Sequence, residues 1–229
     1  TQESGLYKAG EKPVYITLTV NKAKFPDSWN LTVTAASDEY RGAQGYPAAA
    51  ISTTGIPDGA GYEYQLKRTK STNDLQEDQW ESECPKIVNV AESCQFVFVR
   101  VTVDNYESKV FCSGNQTSIT QRKFADTKVT LEPENVIYNG QSRSPEIKVV
   151  ENWQGASGDE VNKADYIIQY WTYWTGTDNR EVTERKDAGT YTVHLLGQRN
   201  YKNESNQAIL TIDKCKLNAR ITGGSFDKV

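Results

Sequence analysis

The chain has 229 residues, of which 37% are hydrophobic and 24% charged, and its formal net charge is −4. That length suits one large domain or two of roughly 100 residues each. No apolar run nears the roughly 20 residues a spanning helix needs, and no basic stripe exists that would take a nucleic acid.

Thirteen Tyr and five Trp, among abundant Thr and Val, favour strands over helices. In chain order, a repeat emerges. Leu18-Thr19-Val20-Asn21-Lys22-Ala23-Lys24-Phe25 aligns with Thr117-Ser118-Ile119-Thr120-Gln121-Arg122-Lys123-Phe124, 99 positions on. Both align with Leu210-Thr211-Ile212-Asp213-Lys214-Cys215-Lys216-Leu217, a further 93 positions on. Each alternates like a strand and then runs into a basic, linker-like exit.

The strands beyond these exits also match. Leu31-Thr32-Val33, Tyr40-Arg41-Gly42 and Tyr46-Pro47 correspond, at an offset of 98, to Val129-Thr130-Leu131, Tyr138-Asn139-Gly140 and Ser144-Pro145. An alternating strand meets a Tyr-x-Gly turn, where Gly takes a positive φ. Pro then opens the next strand, where its missing N–H does little harm. Strands are next predicted at Tyr62-Glu63-Tyr64-Gln65-Leu66 and, longer, at residues 166–174, each leading into a variable stretch: residues 67–83 in the first unit and 175–179 in the second.

The closing half corresponds at an offset of 95, with residues 92–98 answering 187–193 and Asn105-Tyr106 answering Asn200-Tyr201. Period-two reading places Phe96 and Phe98 on the face used by Tyr191 and Val193. Val97 and Val99 then share the other face with Thr192 and His194, and Arg100 breaks the pattern as a bulge or strand end. The chain thus divides into four: residues 1–23 as closing strands of a preceding repeat, 24–122 as repeat one, 123–216 as repeat two, and 217–229 as the start of a following repeat. Short strands spaced by turns indicate two all-β sandwiches in tandem, with β-grasp-like repeats as the alternative. Asp187-x-Gly189-x-Tyr191 matches the tyrosine corner of immunoglobulin domains, with Val193 in the place of the second cysteine.

Tyr138-Asn139-Gly140, Ser144-Pro145, residues 165–170, Asp187-Ala188-Gly189-Thr190-Tyr191, residues 197–201 and Leu210-Thr211-Ile212 together resemble the MBG/YDG-type repeats of bacterial surface proteins. The resemblance implies immunoglobulin-like modules in tandem on large adhesin-like proteins, extracellular or surface-bound. It implies structural roles for Tyr138, Gly140, Asp187, Gly189, Tyr191 and Tyr201, and supplies no catalytic residues. In the first unit Ser93-Cys94-Gln95 stands where the family has Ala-Gly-Thr.

The chemistry-bearing residues are few. There is no Gly-rich phosphate loop, Gly-x-Ser-x-Gly or His-Glu-x-x-His, and His194 is the single histidine, so the chain reads as no enzyme and needs no cofactor. Cys84, Cys94, Cys112 and Cys215 lack zinc-site spacing. They are read either as one disulfide in the first half, Cys84 with Cys112 or Cys94, or as thiols. Asp178, Asn179, Glu181 and Glu184 lack the spacing of a calcium loop. The binding candidates are Trp153, Trp171, Tyr173 and Trp174, whose flat amphipathic rings suit a glycan or a host protein. The remaining expected partners are neighbouring repeats of the same chain.

Overall fold

The computed structural model describes residues 19–155, 158–172 and 180–217. Readings that fall on residues 1–18, on Tyr173, Trp174, Asp178 and Asn179, and on residues 218–229 therefore lie outside the described residues. Those described form an all-β, immunoglobulin-like chain of two units. The first holds β1 (Asn30–Ala35), β2 (Ser37–Glu39), β3 (Tyr46–Pro47), β4 (Ala49–Thr54), β5 (Gly61–Lys67), β6 (Lys86–Ile87), β7 (Phe96–Thr102), β8 (Lys109–Cys112) and β9 (Ser118–Thr120). The second holds β10 (Thr127–Glu132), β11 (Asn135–Ile137), β12 (Glu146–Glu151), β13 (Tyr166–Thr172), β14 (Gly189–Gly197) and β15 (Ser205–Asp213). Helical structure among the described residues is confined to short 3-10 turns, which leaves no crossover helix for a β-grasp arrangement.

Both units solve the same packing problem in the same way. A two-stranded sheet, β1–β4 or β10–β12, covers a second sheet in which β5–β7–β8 or β13–β14–β15 run antiparallel. The chain switches sheets after its first strand, so a short strand pairs parallel to the last one: β2 with β9, and β11 with β15. The registers Ser37↔Ser118 and Asn135↔Thr211 reproduce the offsets of 98 and 93 read from sequence. The Tyr-x-Gly turns match too, with Gly42 at φ 67° and Gly140 at φ 77°. Inward side chains of both sheets, such as Leu131, Val149, Val193, Leu195 and Leu210, are buried, and the buried apolar cluster runs continuously through both units.

The expected faces of β7 are reversed. Val97, Val99 and Val101 point into the sandwich, paired with Leu66, Tyr64 and Tyr62, so Phe96, Phe98 and Arg100 lie outside. β7 continues through Arg100 in regular register, and no bulge or strand end occurs there. The misreading has a physical source: Phe98 is fully buried although it faces outward. Residues 71–81 lie over that face. Gln65, opposite Phe98, exchanges two hydrogen bonds with the backbone of Gln76 at 2.7 and 3.0 Å. Arg100 pairs with Glu63 and Glu77 and sits over the Trp80 ring at 4.6 Å. A strand buried on both faces loses the alternation that assigns its sides.

The four cysteines are unpaired, Cys94 and Cys215 being exposed.

Candidate functional site

Each unit has an upper end, formed by the β12–β13 and β14–β15 connections in the second unit, and a lower end, where the last strand leaves. The exit from β9 does not behave as a free linker. Arg122 adds itself, parallel, beside the Asn200-Tyr201 turn: its N–H donates to Asn200 O at 3.0 Å and its carbonyl accepts from Lys202 N–H at 2.7 Å. Ala23 does the same at the upper end of the first unit, donating to Asn105 O and accepting from Glu107 N–H, both at 2.8 Å. The exits at Ala23 and Arg122 are therefore each paired to the unit that follows, and their fixed spacing was the sequence signal.

Around Arg122 the two units are bolted together. Its Nε donates to Tyr40 O at 2.7 Å, and its guanidinium lies 3.2 Å from Glu39 and 3.7 Å from Asp126. The Trp153 ring lies under the guanidinium at 4.0 Å from its centroid, a cation–π contact strengthened by partial desolvation. Tyr201, fully buried, wedges between Tyr40 of the first unit and Phe124, with edge-to-face centroid distances of 5.3 and 5.4 Å. Such aromatic pairs add about 0.5–1.5 kcal/mol beyond the area they bury.

Polar groups complete the joint. Glu151, 2% exposed, accepts from Trp153 Nε1 at 2.7 Å and from the Tyr201 hydroxyl. Burial lifts its carboxyl above the usual range, although those two donors and Arg122 oppose the shift. Asn200 spans the units: its Nδ2 donates to Asn89 and to Asp165, each at 3.0 Å, and its Oδ1 accepts from Val90 N–H at 2.9 Å. Asp165 is likewise raised by burial. Tyr40 is pushed up to about 12 by burial and by the charges of Asp165 and Glu151, and burial raises Tyr201 as well.

A groove of about 1230 Å³ opens beside this joint, between the Val88–Glu92 region and the upper end of the second unit. Its walls carry several carboxylates, and three of them are spent on protein donors. Glu92 holds Val88 N–H, Asn89 N–H and Asn89 Nδ2, while Glu151 and Asp165 serve the joint. Among the described residues no group of His, Cys, Asp and Glu is arranged to hold a metal ion. Glu184 pairs with Lys186, and Glu181 bridges β13 at Trp171.

The binding candidates do not come together. Trp153 belongs to the joint at the upper end, where β13 begins, whereas Trp171 lies five residues along β13, about 16 Å away at strand rise. Trp171 is on the outer face with Thr192 and His194, and the two rings meet edge-on at 6.2 Å. Trp171 Nε1 and His194 Nδ1 are buried without hydrogen-bond partners among the described residues. Tyr170 faces inward beneath Arg185, at 3.6 Å. Tyr191 makes the corner bond, its hydroxyl donating to Asp187 O at 3.0 Å, and Gly189 opens β14 between them. Sequence marked Tyr40, Arg122, Asp165 and Asn200 only as parts of the repeat pattern and Glu151 not at all, because their partners come from the other unit or from distant strands.

No family model matches the chain, and no curated protein matches it. Among solved structures it is similar to PcdhgB3 EC1-4, at 11% identity with a TM-score of 0.25, over 83% of this chain and 51% of that one. It is also similar to murine CEACAM1b, at 12% identity with a TM-score of 0.26, over 81% of this chain and all of the other. The chain thus spans about half the length of the first, and the fold assignment rests on the strand pairing of the two units.

Proposed function

We propose that this chain is a non-catalytic spacer: a tandem immunoglobulin-like segment of a bacterial surface or secreted protein that holds an adhesive part away from its base. One observation carries the reading. The exit segment of the first unit is hydrogen-bonded on both sides of Arg122 to the Asn200–Lys202 turn of the second, and Tyr201 and Arg122 fill the junction, so the angle between units is set by packing and not by a tether. A spacer needs that property, since a flexible string of the same length collapses toward a coil. Small-angle scattering of the chain in solution tests it. A single rigid, elongated arrangement is expected; a profile that only a broad range of inter-unit angles can fit would overturn the reading.

A second reading is favoured by the outer face of the second unit. There Ile167 and Ile209 are 49% and 41% exposed beside Trp171, whose indole N–H has no acceptor among the described residues. An aromatic flanked by exposed aliphatics suits a glycan or protein ligand. Glycan-array or pull-down signal that disappears in Trp171→Ala, with the circular dichroism spectrum retained, supports this reading. A parent chain without signal sinks it.

A further inference from the structure

The lower end of the second unit repeats the backbone pairing of the lower end of the first. Tyr138 N–H donates to Asp213 O at 2.8 Å, as Tyr40 N–H donates to Thr120 O at 2.8 Å. Their surroundings differ. Tyr40 is 7% exposed because Tyr201 packs on it, whereas Tyr138 is 39% exposed and Ile137 beside it is 62% exposed. Phe124 is fully buried in the joint, while its counterpart Leu217, 93 positions on, is 91% exposed. Cys215, the counterpart of Arg122, is exposed as well.

The upper end of the second unit carries the ring that seals the existing joint, Tyr201, and the lower end leaves Tyr138 and Ile137 partly exposed, where such a ring would pack.

We infer that Tyr138, Cys215 and Leu217 are half of a second joint, whose occupant is the upper end of a further unit of this kind, joined through Lys216–Leu217. The backbone of Cys215 would pair with the Asn-Tyr turn of that unit as Arg122 pairs with Asn200 and Tyr201. Leu217 would enter its core as Phe124 does here, and its tyrosine would pack on Tyr138. This rests on the spacer reading, since it supposes that the joint is a repeating device.

The test lengthens the chain: residues 1–217 joined directly to residues 125–229, so that Leu217 takes the place of Phe124, with Cys215→Ser in the added copy. The rate at which N-ethylmaleimide modifies Cys215 is then compared with that in the 229-residue chain by mass spectrometry. A closed joint protects the thiol through local opening, so the rate should fall about tenfold or more, and Tyr138→Ala in the lengthened chain should restore most of it. An unchanged rate overturns the inference. So does protection that survives Tyr138→Ala, because shielding by mere chain continuation would not need the tyrosine. If scattering shows the parent rigid while Cys215 stays reactive in the longer chain, the inference fails and the spacer reading stands. If scattering shows the parent itself flexing, the reading fails first.

Discussion

In the first unit the outer face of β5–β7 is covered: Phe98 and Gln65 are buried beneath residues 71–81, and Arg100 is clamped between Glu63, Glu77 and Trp80. In the second, the matching face of β13–β14 carries Thr192, His194 and Trp171, with Ile167 and Ile209 partly exposed. Their lower ends are also unlike, one sealed by Tyr201 and the other open at Tyr138 and Leu217. A repeated frame thus leaves its loops and ends free to specialise. The first unit uses its long insertion to cover one face, and the second leaves Ile167, Ile209, Tyr138 and Leu217 partly or largely exposed.

The joint should be the most costly place to strike. Tyr201→Ala removes a fully buried ring that both units share, and losses of about 3–5 kcal/mol are usual for such truncations. Urea unfolding should show this, and scattering should show the inter-unit angle broadening in whatever fraction stays folded. Tyr106 at the upper end of the first unit rests on Trp29 at 4.8 Å, with no second unit against it among the described residues. Tyr106→Ala should therefore cost less and leave the angle between the units unchanged. If both variants cost the same with the same rigid profile, Tyr201 is a core residue of one unit and not a joint.

The roof is the next contrast. Gln65→Ala deletes two hydrogen bonds to Gln76, each worth roughly 0.5–1.5 kcal/mol net, so a loss of about 1–2 kcal/mol is expected, together with faster proteolysis within residues 71–81. Gln169 occupies an outer-face position of the second unit, opposite His194, and has no such roof among the described residues. Gln169→Ala should stay within about 0.5 kcal/mol of the parent. A smaller and more local loss, about 1 kcal/mol, is expected for Tyr191→Phe, which removes only the bond to Asp187.

These contrasts also explain what could be read in advance. The repeat, its offsets and the tyrosine corner were legible because turn residues and short-period alternation are local signals. Tyr-x-Gly needs a positive φ at Gly42 and Gly140 whatever surrounds them. The facing of β7 was not legible, because Phe98 is buried by an insertion some 20 residues away in sequence, and both faces of the strand then look apolar. Trp153 was grouped with Trp171 by composition, yet one lies under Arg122 and the other beside His194. The polar half of the joint was invisible for a different reason. Glu151, Asp165 and Asn200 take their roles from partners supplied by the other unit or by distant strands.

The finest contrast is one of slope, between two carboxylates bordering the same groove. Burial raises Glu151 above its ordinary value near 4.5. Its contribution to stability is therefore fully present below that value and is lost as pH climbs through the raised folded value. Burial acts on Glu92 too, but the hydrogen bonds from Asn89 and from the N–H groups of Val88 and Asn89 outweigh it and lower the carboxyl. Its contribution is present above the ordinary value and is lost as pH falls through the lowered one. Glu151→Gln should thus flatten the decline of stability on the weakly acid to neutral side, while Glu92→Gln should flatten the decline on the strongly acid side. Unfolding midpoints collected from pH 3 to 7 separate the two. A Glu151→Gln chain whose profile changes only at the acid extreme would mean that Glu151 is held charged by Arg122 and Trp153 more strongly than burial opposes it. The joint would then hold a buried charge supported by the Trp153 and Tyr201 donors.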